Sequence, residues 1–205
     1  MADHASLCGR LARAVAKGPP RLPLAQRICQ AMRELLGADG AAVTVNNLSV
    51  HRVTWCTTDE RSTELENLQD VLGEGPCRDA FTSRLPVSTG MDRWAASRWP
   101  QFIPEAERIV GPRGVLWSLP MRMAGELIGT ISLYRVAGDA LAQPIDAVQA
   151  LADAAALMLL SDPATEIPDG GPWTSRAVVH QAVGKLMAQL GTGAGDALAG
   201  SLLKG

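Results

Sequence analysis

Chemistry has few places to start in this chain, and the first is Cys77. It follows Gly73-Glu74-Gly75-Pro76, where two glycines bracket a tight turn and the proline suits the first position of a helix. A thiol in the first helical turn meets unpaired backbone amides and the positive end of the helix dipole, and Arg78 is its neighbour. That placement predicts a pKa for Cys77 below those of the other three thiols, and a redox or ligand-contact role. The competing reading is a small buried helix residue, a common setting for a free cysteine. The second place is a set of rings. Trp94, Trp99, Phe102 and Trp117 make up half of the chain's eight aromatic residues. They either line a small-molecule pocket between a loop and a sheet or form ordinary core.

Other chemistry finds no foothold. Cys8, Cys29, Cys56 and Cys77 are widely spaced with no CxxC pair, and His4, His51 and His180 are scattered. That is not zinc-type spacing, and four reduced, mostly buried thiols are the expectation for a cytoplasmic protein. Gly73-Glu74-Gly75 fits neither GxxxxGK(S/T) nor GxGxxG, so it reads as a turn rather than a phosphate cradle. There is no GxSxG elbow. Glu105 and Glu107 fall on a surface helix, Glu126 falls in a turn, and His51 sits on a strand, so no acid–base pair emerges. These absences point to a non-enzymatic protein.

The elements that must position these residues centre on Arg113–Val136. Val115, Trp117, Leu119, Met121 and Met123 alternate with Leu116, Ser118, Pro120 and Arg122. After Ala124-Gly125, Leu127, Ile131 and Leu133 alternate with Thr130, Ser132 and Tyr134. Period-2 alternation on both sides of a glycine-containing turn predicts a hairpin, and Pro120 implies an edge or a bulge. Before it, residues 4–17 and 22–36 read as helices; Leu7, Leu11 and Val15 form one stripe and Leu24, Ile28, Ala31 and Leu35 another. Gly37 is placed to cap the second. Two short strands follow at 41–46 and 50–57, then a surface helix at 59–72. Pro86-Val87-Ser88 is extended, and 92–109 holds one weak helix from about Gln101. After the hairpin, Pro144–Leu160 is a strong helix with Ile145, Val148, Leu151, Ala155 and Leu159 on one stripe. The order predicts an α+β fold, an antiparallel sheet with helices segregated to one face.

The composition admits a real core, with 47% hydrophobic residues in 205. The net charge of −2 excludes a chain that binds nucleic acid by overall charge. No signal peptide and no membrane span can be read, so a cytoplasmic setting without a membrane partner is expected. Ser161–Pro172, with three prolines and two glycines, reads as a linker between residues 1–162 and a helical segment at 173–205.

Four blocks carry a family resemblance. LGEGPCRDA (Leu72–Ala80), RWPQF (Arg98–Phe102), SLPMRMAGELIGTISLYR (Ser118–Arg135) and LADAAALML (Leu151–Leu159) together resemble the GAF domain of actinobacterial GAF–ANTAR regulators. The tail adds to this. SRAVVHQAVGKLMAQLG (Ser175–Gly191) resembles the first helix of an ANTAR domain, with its QAxGxxM run at Gln181–Met187. Asp196–Gly205 resembles the start of its second helix. The resemblance implies a six-stranded antiparallel sheet, a ligand-sensing role, frequent dimerisation, and an output domain that binds RNA hairpins and promotes antitermination. The last ANTAR helix has no counterpart here, and Leu202-Leu203-Lys204 stands where the family shows a Leu-Arg pair, so a truncated or degenerate output is expected. The Asn-Lys…Phe…Asp-Glu pattern that accompanies cyclic-nucleotide binding has no match, which leaves the cofactor unknown.

Two expectations follow from these readings. The first is a sensor whose pocket uses Cys77, Trp94, Trp99, Phe102 and Trp117 for an unidentified small molecule, or Cys77 for redox state. The second is a homodimerisation module without a ligand, its intersubunit bundle built from Leu7, Leu11, Val15, Ile145, Val148 and Leu159. The RNA candidates are Arg176, Lys185 and Lys204; against Asp196 they leave the tail at only +2, and Trp173 is its one aromatic, so poor RNA binding is expected.

Overall fold

The structure is a computed structural model that describes residues 4–46, 52–138 and 140–162. Two helices open the described chain, α1 (His4–Lys17) and α2 (Leu24–Leu36). Gly37 ends α2 in the left-handed conformation, and its N–H reaches the last-turn carbonyls. Strands β1 (Gly40–Asn46) and β2 (Arg52–Thr57) come next, then α3 (Glu60–Leu72), α4 (Pro76–Ser83), β3 (Val87–Gly90), α5 (Arg93–Arg98) and α6 (Phe102–Val110). The hairpin β4 (Val115–Met123) and β5 (Glu126–Arg135) is followed by α7 (Ile145–Ser161). Its turn residues Ala124 and Gly125 have φ of 51° and 84°. Positive φ at both central residues is what a two-residue turn needs to match the twist of its strands.

All pairings are antiparallel, in the order β2-β1-β5-β4-β3. The described residues hold five strands, where the family resemblance implied six. Pro120 lies beyond Ser118, the last residue of β4 that β3 pairs with, so β4 is an edge there. A bulge follows at once: Met121 faces Gly129 but Arg122 faces Leu127. A second bulge lies in β2, where Val43 faces Cys56 and Thr44 faces Thr54, leaving Trp55 as the extra residue.

Helices cover both faces of the sheet, which corrects the expectation of one. Ala41, Val43, Val45, Leu119, Met121, Ile131 and Leu133 bury one face under α1, α2 and α7. The other face meets α3 and α4, with α5 and α6 beside them. The alternation was legible, but the mixed-polarity face read as solvated. It is instead capped by α3, whose Ser62, Leu65, Glu66 and Gln69 are buried, so α3 is not the surface helix expected. The segment 92–109 also holds one helix more than expected. Asp92 caps α5 by accepting a bond from the Ala95 N–H at 2.9 Å.

The stripes expected to join two subunits are buried within one chain. Leu7, Leu11 and Val15 are at most 4% exposed, and Val148 and Leu159 at most 1%, because α1 packs on α2 and α7, which pack on each other and on the sheet. Of that set only Ile145 stays open, at 45%. No described helix is long and apolar enough to cross a membrane. Of the expected linker, Ser161 instead ends α7 and Asp162 is its C-cap; residues 163–172 and the ANTAR-like segment, with Arg176, Lys185 and Lys204, lie outside the described residues, as does His51.

Candidate functional site

The block around Cys77 is built from local rules, one per residue. Gly73 ends α3 at φ 70°. The Glu74 carboxylate accepts bonds from the Gln101 and Phe102 N–H groups, both at 2.7 Å, and so caps α6 from a distance. Gly75 has φ 131°, and a Cβ there would lie 2.6 Å from the Gln69 side chain. Glycine is required on both counts. Pro76 then opens α4, and the Cys77 N–H donates to Gln69 Oε1 at 2.7 Å.

Cys77 closes a buried polar ring between α3, α4 and the sheet. Its Sγ lies 2.8 Å from Thr130 Oγ1 and 3.0 Å from Arg52 Nη2. The same Nη2 donates to Glu66 Oε2 at 2.8 Å, while Nη1 donates to Asp70 Oδ1 at 2.5 Å. Thr44 Oγ1 donates to Glu66 Oε2 at 2.9 Å, and Gln69 Nε2 donates to Glu66 Oε1 at 3.3 Å. The Arg52 and Glu66 side chains are 6% and 1% exposed. An ion pair so deep persists only with its remaining lone pairs and protons satisfied, and this ring supplies most of them. Beside it, Ser118, Ser132 and Tyr134 line a cavity with ≈ 20 Å³ open to the centre of a water molecule. That is room for about one water, not an organic ligand.

Burial reverses the expected effect on the thiol. The Cys77 side chain is fully enclosed, and burial, with the Glu66 charge adding to it, pushes its pKa up to about 12. Arg52 and the hydroxyls of Thr130 and Ser132 pull the other way without prevailing. The helix start is present, but desolvation outweighs it. Cys77 is therefore a protonated thiol near neutral pH rather than an exposed thiolate.

The tryptophans form a second, separate place. Trp94, Trp99 and Trp117 line a cleft of ≈ 580 Å³ at the β3 edge of the sheet, together with Ser88, Thr89, Asp92 and Arg98. Its size falls within the range of small-molecule sites. Trp94 is 87% exposed, whereas Trp99 and Trp117 are mostly buried walls. The Arg98 guanidinium lies 4.7 Å from the centre of the Trp99 ring. Asp79 holds that guanidinium from behind, with Arg98 Nη2 and Asp79 Oδ2 2.6 Å apart. Phe102 does not join them. It is fully buried against Ala80, Ile103 and Leu116 in the core under α6. Of the five pocket residues expected, three share the cleft, one is core, and Cys77 belongs to the polar ring.

Sequence reasoning missed Arg52, Glu66 and Gln69. One signal was available: Ser62, Glu66 and Gln69 recur at i, i+4 and i+7, a polar stripe at helical spacing. Nothing local distinguishes such a stripe from a solvated face.

The model of the GAF domain family matches residues 20–159. Among solved structures, the GAF domain of a phosphoenolpyruvate-protein phosphotransferase from Coxiella burnetii is 15% identical, with a TM-score of 0.52 over 92% of this chain and 96% of that one. A GAF domain/HD domain protein from Geobacter sulfurreducens is 12% identical, with a TM-score of 0.47 over 74% and 91%. A GAF domain from Synechocystis sp., in its photoproduct state, is 15% identical, with a TM-score of 0.47 over 89% and 98%. No curated protein matches. At these identities the solved structures speak to fold alone. The family match spans well over half of the chain, and the protein belongs to the GAF domain family.

Proposed function

We infer that this GAF domain is a non-enzymatic sensor that takes a small planar molecule in the cleft between β3 and α5. The observation that carries this reading is Trp94, an indole left 87% exposed at the mouth of a ≈ 580 Å³ cleft. An exposed ring in a cleft with buried tryptophan walls suits stacking, and Ser88, Thr89 and Asp92 offer polar atoms to orient a ligand. Redox sensing through Cys77 has less support, because its thiol is buried and protonated. The test is a screen of planar heteroaromatic fragments, read by tryptophan fluorescence and thermal shift. Hits should quench fluorescence, and Trp94→Ala should weaken them about tenfold, the equivalent of one stacking contact. A screen in which no fragment changes fluorescence or melting, or in which Trp94→Ala binds hits unchanged, removes the reading.

Two further parts of the reading concern partners. A homodimer would need a surface other than the α1 and α7 stripes, which apart from Ile145 are buried within the chain. Sedimentation at micromolar concentration decides it, and a clean monomer ends it. The ANTAR-like segment 173–205 would supply the RNA-binding output through Arg176, Lys185 and Lys204, and its charge of only +2 supports weak binding. A gel shift with hairpin RNA at low salt tests this; tight, salt-sensitive binding would make antitermination the working output.

A further inference from the structure

Cys29 and Cys56 lie outside both the cleft and the polar ring. They are 27 residues apart in sequence, one on α2 and one on β2, and their Sγ atoms are 2.6 Å apart. Non-bonded carbon atoms rest about 3.5–4 Å apart, and sulfur is larger. A disulfide bond is about 2.05 Å. The two sulfurs are thus nearer to bonding distance than to ordinary contact.

The β2 bulge brings them together. In an unbroken strand, residues 52, 54 and 56 would share one face. Arg52 and Thr54 do share one, bonding Glu66 and Thr44 on the α3 side. The extra residue Trp55 resets the alternation, so that Cys56 faces Val43 across the ladder and turns toward α2. There Cys29 sits in the buried stripe with Ile28 and Met32. Re-aiming a side chain is a recurrent use of a bulge. Cys29 is fully buried and Cys56 nearly so, at 8% of the whole residue; burial and the bond with Cys56 push the Cys29 thiol well up, so Cys56 is the sulfur from which oxidation starts.

We propose that Cys29 and Cys56 are a modification site, a dithiol that hydrogen peroxide closes to an intramolecular disulfide in the folded protein, tying α2 to β2. The Cys56 sulfur attacks one peroxide oxygen; the O–O bond breaks, leaving a sulfenic acid on Cys56 and one water. The Cys29 sulfur then attacks the Cys56 sulfur. The S–S bond forms, the S–O bond breaks, and the hydroxyl leaves with the Cys29 proton as a second water. Two thiols and one peroxide become one disulfide and two waters, and the peroxide takes up both electrons.

The site does not depend on what the cleft binds. Its test is to treat the native 205-residue chain with hydrogen peroxide, quench with catalase, unfold in acid, alkylate, and map peptides by mass spectrometry. The expected result is a Cys29–Cys56 linked peptide lighter by two hydrogens, with only Cys8 and Cys77 alkylated, reversed by dithiothreitol. Cys29→Ala or Cys56→Ala should abolish the link, and Cys8→Ser with Cys77→Ser should preserve it. Four alkylated cysteines, a link to Cys8 or Cys77, or Cys56 driven to sulfinic acid without a link each overturn the proposal. The wild-type peptide map decides even if a Cys29 variant does not fold.

Discussion

The two faces of the sheet are built from the same strands and held by different physics. Under α1, α2 and α7, β1, β4 and β5 present Ala41, Val43, Leu119, Met121, Ile131 and Leu133 to an apolar layer. Under α3 and α4, the intervening residues Thr44, Ser118 and Thr130 are just as buried but polar, with Ser132 half-buried beside them, and this face meets Glu66, Gln69, Arg52 and Cys77. The apolar face is held by close packing, where each atom contributes a little and any neighbour of the right size will serve. The polar face is held by a closed ring of directional bonds, where each group needs its particular partner. It is also the face with the small water-sized cavity.

The largest expected effect breaks the ring. Arg52→Met leaves Glu66 charged and unpaired at 1% exposure. Loss of one partner of a buried pair costs about 3–5 kcal/mol. Urea denaturation should show that loss, and the double variant Arg52→Met, Glu66→Leu should recover most of it. A single variant within about 1 kcal/mol of wild type would mean that the polar face does not depend on the pair.

The apolar face should behave differently. Leu119→Ala removes a fully buried side chain from the layer under α7, and should cost about 3 kcal/mol. Leu119→Met, which keeps volume, should cost less than about 1.5 kcal/mol. If Leu119→Met proves as damaging as Leu119→Ala in the same denaturation experiment, the contrast between packing and directional bonding fails.

A pH series sharpens the contrast at the margin of the polar face. Asp59 caps α3 through the Ser62 N–H at 2.9 Å and accepts a bond from the Tyr134 hydroxyl at 3.0 Å. Burial works against its charge, but the Ser62, Thr58 and Tyr134 bonds outweigh it and hold its carboxyl below the usual carboxylate range. Its contribution is therefore full above the unfolded value near 3.9 and is lost as pH falls through the lower folded value. Asp59→Ala should cost about 1 kcal/mol at neutral pH and flatten the acid limb of stability against pH. The alkaline limb belongs to Cys77. Its pKa of about 12 in the fold exceeds the ordinary 9.0, so its contribution is full below about 9 and declines as pH rises toward 12. Cys77→Ala should remove that part of the decline. Unchanged slopes in both variants would show that neither group is linked to folding.

The smallest effect on stability is expected in the cleft. Trp94→Ala removes a ring that is 87% exposed, and should change stability by no more than about 0.5 kcal/mol. A larger loss of melting temperature would make Trp94 part of the core and the cleft an artefact of packing.

Local sequence rules reached a good part of this molecule. The alternation in 113–136 and the turn at Ala124-Gly125 marked the hairpin because period 2 and turn chemistry are properties of adjacent residues. Pro76 marked the start of α4, and the α1 stripe marked its buried side; the α2 and α7 stripes marked theirs only in part, since Leu24 and Leu35 are half-buried and Ile145 is exposed. Three tryptophans of the expected pocket do share one cleft. The α5 helix escaped notice because six residues are too short for a periodic pattern, and its cap at Asp92 is the only local signal.

What lay beyond the sequence depended on partners far away in the chain. A threonine or serine on a strand reads as solvated until α3 is known to cover it, and Glu66 reads as a surface charge until Arg52 is placed beside it. The Cys77 helix start was legible, but the sign of its pKa shift was not, since desolvation is set by everything packed around the thiol. The meeting of Cys29 and Cys56 needed the register slip at Trp55, which no local pattern reveals. The sequence by itself determined most of the elements, the apolar face of the hairpin and the GAF part of the family resemblance, because these are written in neighbouring residues. The tertiary structure alone decided which polar groups are buried together, because burial and electrostatic coupling act between residues that only the fold makes neighbours.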